Sequence, residues 1–177
     1  MRAYLTVLDD DAAIVPHWVR HYLARGATEF WVLIYGQPAE MRTVCDMVRQ
    51  EGGEPREFAV HDEHDFSARN REAYIAQHHP DGQWAFFCDC DEFVDATAAQ
   101  LDRARRNRVA YIAGHWRDRL AAGGRLADVQ PEPSLFAQYP HTARLRQGWG
   151  MGYSAYVQAP FAPISHHPNT CRRGRLR

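Results

Sequence analysis

Asp89, Asp91 and Glu92 place three carboxylates within four positions, directly after the apolar run Trp84-Ala85-Phe86-Phe87-Cys88. An apolar run of this length, preceded by the turn-forming Pro80-Asp81-Gly82, reads as a strand buried on both faces. Side chains alternate along a strand. Asp89 and Asp91 would therefore point to one side and Cys88 and Cys90 to the other. Two carboxylates on one side of a buried strand end repel each other, and a hard divalent cation with oxygen ligands relieves that repulsion. The plainer alternative is a solvated loop in which Glu92 opens the next turn.

The surrounding elements place this cluster. Tyr4 to Leu8 is a short apolar strand that meets Asp9-Asp10-Asp11. Ile14, Val15, Trp18, Val19, Tyr22 and Leu23 form the apolar face of a helix entered near Pro16 and stopped at Gly26. Phe30 to Tyr35 is a second buried strand. Met41, Val44, Cys45 and Val48 stripe a second helix that ends at Gly52-Gly53. Glu57 to Val60 is a weaker strand, and Ser67 caps a helix running to about His78. After the organising strand, Asp95 or Thr97 caps a helix through Arg106, and Val109 to Ala113 follows as a strand. Strands alternating with helices predict a parallel, doubly wound α/β sheet whose strand carboxyl ends share one edge. Residues 114–177 are rich in Pro, Gly, His and aromatics. They read as loops and short strands over the site, including one from Ser154 to Gln158, and end in a basic tail. The whole, 1–177, reads as one domain, with 1–113 as its core.

Composition narrows the functions. The chain has 177 residues, 45% hydrophobic and 24% charged, with a formal net charge of −1, so no global basic field points to nucleic acid. All 21 basic residues are arginine, which excludes Schiff-base and P-loop lysines. Four cysteines without a disulfide framework predict a reducing, cytoplasmic compartment. The N-terminus meets its aspartates too early for a signal peptide, and no apolar stretch has the length of a membrane span. Peripheral membrane contact stays open, as does the oligomeric state. His17 and His21 stand at zinc-binding spacing but lack the Glu of His-Glu-x-x-His, and His17 is expected on the polar face of its helix.

Ser67-Ala68-Arg69-Asn70, followed about 20 residues later by Phe86-Phe87-Cys88-Asp89-Cys90-Asp91-Glu92-Phe93, resembles the nucleotide-sugar-binding core of family-2-like glycosyltransferases. The form Asp-x-Asp-Glu-Phe is similar to the branch related to glycosyltransferase family 92. So is His21-Tyr22-Leu23-Ala24-Arg25-Gly26 leading into an apolar strand. The resemblance implies a GT-A fold, an α/β/α sandwich with a mostly parallel sheet. It implies Mn²⁺ or Mg²⁺ bridging the diphosphate of a nucleoside-diphosphate sugar to Asp91, with Asp89 near the ribose or the metal. Arg69, beside Asn70, matches a position that approaches the nucleotide in that family, and Glu92 would support the loop; the strand-edge argument separately makes Asp9 a candidate nucleotide contact. His166 or His167 is a candidate to complete the metal shell, and Asp118 a candidate base. The acceptor would be a glycan, a lipid or a small molecule. One departure stands out: the second strand ends in Tyr35-Gly36-Gln37-Pro38, where the family usually has an acidic turn. That departure supports a second reading, a catalytically inactive GT-A-like module that binds a nucleotide or a partner.

Overall fold

The computed structural model describes residues 1–8, 12–35, 38–61, 84–109, 111–113, 117–123, 128–144 and 153–157. In chain order they form β1 (Arg2–Leu8), a 3₁₀ turn (Ala12–Ile14), α1 (Val15–Leu23), β2 (Glu29–Tyr35), α2 (Pro38–Gln50) and β3 (Glu54–His61). There follow β4 (Trp84–Asp89), α3 (Ala98–Arg106), β5 (Tyr111–Ala113), β6 (Arg117–Leu120), the short α4 (Leu135–Gln138), β7 (His141–Arg144) and β8 (Tyr153–Val157).

The main sheet runs β3-β2-β1-β4-β8-β5, and β6 pairs with β7 in a separate two-stranded antiparallel sheet. Strands β3, β2, β1 and β4 are parallel neighbours, with Leu5 opposite both Val32 and Cys88. This is an α/β fold with a mostly parallel central sheet. One strand departs from the uniform edge read from the sequence: β8 enters antiparallel between β4 and β5. Its backbone supplies the ladder partners that a neighbouring β5 would have given β4. The strand expected at Ser154 to Gln158 is this β8.

Alternation sorts the strand residues by face. Ala3, Leu5, Val7, Phe30, Val32, Ile34, Phe86, Cys88 and Cys90 share a core with α1, α2 and α3. Tyr4, Thr6, Leu33 and Ala85 occupy the other face and are also buried. Helix α1 enters with Pro16 in its first turn, where a missing N–H costs nothing. It buries Val15, Trp18, Val19 and Tyr22 along one stripe. It ends at Leu23, and the turn that follows passes through Gly26, whose φ of 87° suits a residue without a Cβ. Helix α2 buries Met41, Val44, Cys45 and Val48, as its periodicity predicts. Helix α3 begins at a capping box between Thr97 and Gln100. The Arg20 guanidinium ties α1 to the end of α2 through two contacts to the Glu51 carboxylate, at 2.6 and 2.8 Å. No helix among the described residues is long and apolar enough to cross a membrane.

Strand order fixes where a ligand site can form. From β1 the chain winds outward through β2 to β3, then returns to place β4 on the opposite side of β1. The two βα connections therefore leave β1 and β4 in opposite directions. In open α/β sheets, ligands bind beyond the strand carboxyl ends at such a reversal of strand order. β4 reaches that edge at Asp89.

Candidate functional site: the carboxylate turn at the end of β4

β4 stops at Asp89 because the chain turns there. The Glu92 N–H donates to the Asp89 carbonyl over 2.9 Å, which closes a tight turn across Cys90 and Asp91. The Glu92 carboxylate folds back and accepts the Asp89 N–H at 3.2 Å. The Cys90 N–H still reaches the Thr6 carbonyl on β1, at 3.1 Å. Cys88 and Cys90 both enter the helix-side core, as alternation predicts. Asp91, in the turn after the strand, is exposed, while Asp89 and Glu92 are half-buried.

Helix α1 clamps this turn. The Trp18 indole Nε1–H donates to the Asp89 carbonyl at 3.1 Å. The Tyr22 hydroxyl meets the Glu92 carbonyl, the Val94 N–H and the Cys88 sulfur at 2.9, 2.9 and 3.0 Å. His21 Nε2–H donates to the Val94 carbonyl at 2.9 Å. Burial pushes the His21 imidazole down to about 4, against the opposing pull of the Val94 carbonyl and with Arg25 adding to the fall. At neutral pH the ring is therefore neutral, and the bond to Val94 requires its proton on Nε2. Burial, reinforced by Cys88, raises Tyr22 well above the usual phenol range, so it stays protonated and able to donate.

Helix α1 also holds residues from the segment 128–139. His17 Nε2–H donates to the Gln130 carbonyl at 2.7 Å, and Arg20 reaches the Pro131 carbonyl and Glu132. His17 is thus buried, contrary to the polar face expected for it, because this segment packs over that face. His17 and His21 each bond a different main-chain carbonyl, an arrangement that uses them as anchors. Phe93 and Phe136 meet the edge of His21, with ring centroids 5.1 and 5.7 Å away. Ala121, Leu135 and Tyr139 pack together against Ile14 and Phe93, which brings the end of β6 toward the carboxylate turn.

Of the residues singled out in the sequence, Asp89, Asp91 and Glu92 come together in this turn. Asp118 lies on β6 opposite Ala143, in the second sheet. Asp9, Arg69, Asn70, His166 and His167 lie outside the described residues. The residues the sequence reading missed are Trp18, His21 and Tyr22 in their anchoring role. From the sequence, Trp18 and Tyr22 read as members of an apolar stripe, His21 as half of a zinc-spaced pair, and His21-Tyr22 as part of the family resemblance. The available signal was chemical: an indole, an imidazole and a phenol on one buried helix face each bring a polar atom that needs a partner.

The turn carries the carboxylates of Asp89, Asp91 and Glu92, and that of Glu92 accepts the Asp89 N–H. Among the described residues no group of three or more His, Cys, Asp or Glu side chains is arranged to hold a metal ion. One or two carboxylates completed by substrate phosphates is the usual donor set of a phosphate-bridging Mg²⁺, so the turn fits that chemistry and not a closed all-protein cage.

No family model matches the chain, and no curated protein matches it. Among solved structures it aligns with the galactosyltransferase LgtC in complex with donor and acceptor sugar analogs, at 18% identity and a TM-score of 0.42, covering 68% of this chain. The chain spans 46% of the length of that protein. A likeness at this level carries no weight for function.

Proposed function

We propose that this chain is a glycosyltransferase that takes a sugar from a nucleoside-diphosphate donor and binds that donor at the Asp89–Glu92 turn. The observation that carries the reading is the position of the turn: three carboxylates, clamped by α1, at the strand carboxyl edge where the order of the sheet reverses between β1 and β4. The resemblance of Asp89-Cys90-Asp91-Glu92-Phe93 to the Asp-x-Asp-Glu-Phe branch supports the same assignment.

Asp89 and Asp91 would hold Mn²⁺ or Mg²⁺ against the donor diphosphate. When bound, such a cation offsets the charge that builds on the departing nucleoside diphosphate. Glu92 closes the turn through the Asp89 N–H and keeps the two aspartates on a short, fixed path. The buried strand behind them limits misplacement, to which transfer rates are sensitive. Asp9 and Arg69 are assigned to the donor, with Asn70 in a supporting place beside Arg69, and His166 or His167 to the cation. Asp118 is assigned as the base that takes the acceptor proton. The acceptor is a glycan, a lipid or a small hydroxyl compound.

A second reading is a GT-A-like module that binds a nucleotide or partner without transfer. The ending of β2 favours it, since Tyr35 is followed by Gly36-Gln37-Pro38 and not by an acid. Thermal shift with UDP, GDP and CDP, with and without Mn²⁺, tests the proposal. Stabilisation by one nucleotide that requires Mn²⁺ supports donor binding, and slow release of free sugar from the matching donor then separates the enzyme from the inactive module. No stabilisation by any nucleotide contradicts the proposal.

A further inference from the structure

We infer that Tyr22 is the positioning residue of the carboxylate turn, fixing where Asp89 and Asp91 present their oxygens. The role in ligand binding rests on the nucleotide-binding reading of that turn; the placement of the chain does not.

Tyr22 touches the chain on both sides of the carboxylates. Cys88 precedes them, and the Glu92 carbonyl and Val94 N–H follow. A phenol has one proton to give and two lone pairs to offer. The Val94 N–H can only donate and the Glu92 carbonyl can only accept. The Tyr22 proton therefore goes to Glu92, and the Cys88 thiol is left to donate to the phenol oxygen. All of the phenol's capacity is then used, and each bond constrains a different position of the chain.

Trp18 and His21 extend this hold, so that α1 fixes the Asp89 carbonyl, the Glu92 carbonyl and both main-chain polar groups of Val94. Asp91 lies between these points and is exposed. The main chain on either side of it is thus held by α1. The helix is itself a firm base: Tyr22 and Trp18 are fully buried, and the paired contacts of Arg20 with Glu51 lock α1 onto α2. Pairing with β1 covers the chain only as far as Cys90. Beyond that residue the helix replaces the sheet as the element that sets the path.

The test compares Tyr22→Phe, which keeps the ring and removes the hydroxyl, with Val48→Ala. Val48 is buried in α2, so its truncation lowers stability without touching the turn. Amide hydrogen exchange is read at Glu92 and Val94, together with binding of Mn²⁺ plus the nucleoside diphosphate that stabilises the wild type. Tyr22→Phe is expected to speed exchange at Val94 at least tenfold over Val48→Ala and to weaken nucleotide binding at least tenfold, whereas Val48→Ala binds like the wild type. Trp18→Phe, which releases the Asp89 carbonyl, replaces it if Tyr22→Phe does not fold, with the faster exchange then expected at Glu92. Unchanged exchange in the substituted protein, or equal loss of binding in Val48→Ala, overturns the inference. Asp91→Asn separates the two levels. If it binds Mn²⁺ and nucleotide like the wild type, the ligand assignment fails, and the exchange rates alone decide whether Tyr22 sets the chain.

Discussion

The indole of Trp18 donates its Nε1–H to the main-chain carbonyl of Asp89 across 3.1 Å, so a residue in the middle of α1 holds the last residue of β4. Trp18→Phe keeps an aromatic ring, but it removes that donor and leaves space in a fully buried site. Lost packing and one lost bond together cost about 1–3 kcal/mol. Urea denaturation should show a lower midpoint of that size at an unchanged slope. A loss below about 0.5 kcal/mol, the range of neutral surface changes, would mean that the contact contributes nothing.

His21 should make stability depend on pH. Its imidazole sits at about 4 in the folded protein against 6.5 for the free side chain, first because it is buried. Arg25 and Arg119 add to the fall, while the Val94 carbonyl and Asp95 oppose it. Between those two values the unfolded chain binds a proton that the folded one does not. The contribution is therefore fully present above pH 6.5 and is lost as pH falls toward 4. The full effect is about 3 kcal/mol. His21→Gln keeps an N–H donor without a titrating ring, so its stability should fall less than that of the wild type between pH 7 and pH 4.5, by roughly 2 kcal/mol. Parallel pH profiles of the two proteins would rule this out.

Gly53 is required by space. A Cβ there would stand 2.7 Å from Phe30 Cδ2 and 2.8 Å from Val48 Cγ1, both in the core. Gly53→Ala should therefore destabilise by about 1–3 kcal/mol, even though alanine is normally the better residue for chain entropy. A raised melting temperature would show that β2 and α2 give way there.

At the start of α3, Thr97 accepts the Gln100 N–H at 3.2 Å, and the Gln100 side chain accepts the Thr97 N–H at 2.8 Å. Thr97→Ala should cost about 1 kcal/mol, and Thr97→Ser should restore most of it. Equal melting of all three proteins would show that this exposed cap is not used.

Much of this architecture was legible because short-range periodicity carries it. The stripe from Val15 to Tyr22 and the run from Phe30 to Ile34 identify α1 and β2 from residue types alone. The carboxylates were legible for the same reason: polar groups that end an apolar run mark the end of a buried strand. The antiparallel entry of β8 was not legible. It depends on which strand pairs with β4 from far along the chain, and Tyr153 to Val157 has no local signal for direction. The buried state of His17 came from a partner more than a hundred positions away, Gln130, which no helical periodicity encodes.

The central claim is that Asp91 belongs to a cation-assisted nucleoside-diphosphate site. Its most direct test is calorimetric titration of wild type and Asp91→Asn with Mn²⁺ and the nucleotide that stabilises the wild type. Asp91 is exposed, so the substitution should leave folding intact. The wild type should bind the nucleotide in a Mn²⁺-dependent manner. A ligand at about a hundred times its Kd should add about 2.7 kcal/mol to stability. Asp91→Asn should lose the Mn²⁺-dependent part altogether. Full Mn²⁺-dependent binding by Asp91→Asn would contradict the account.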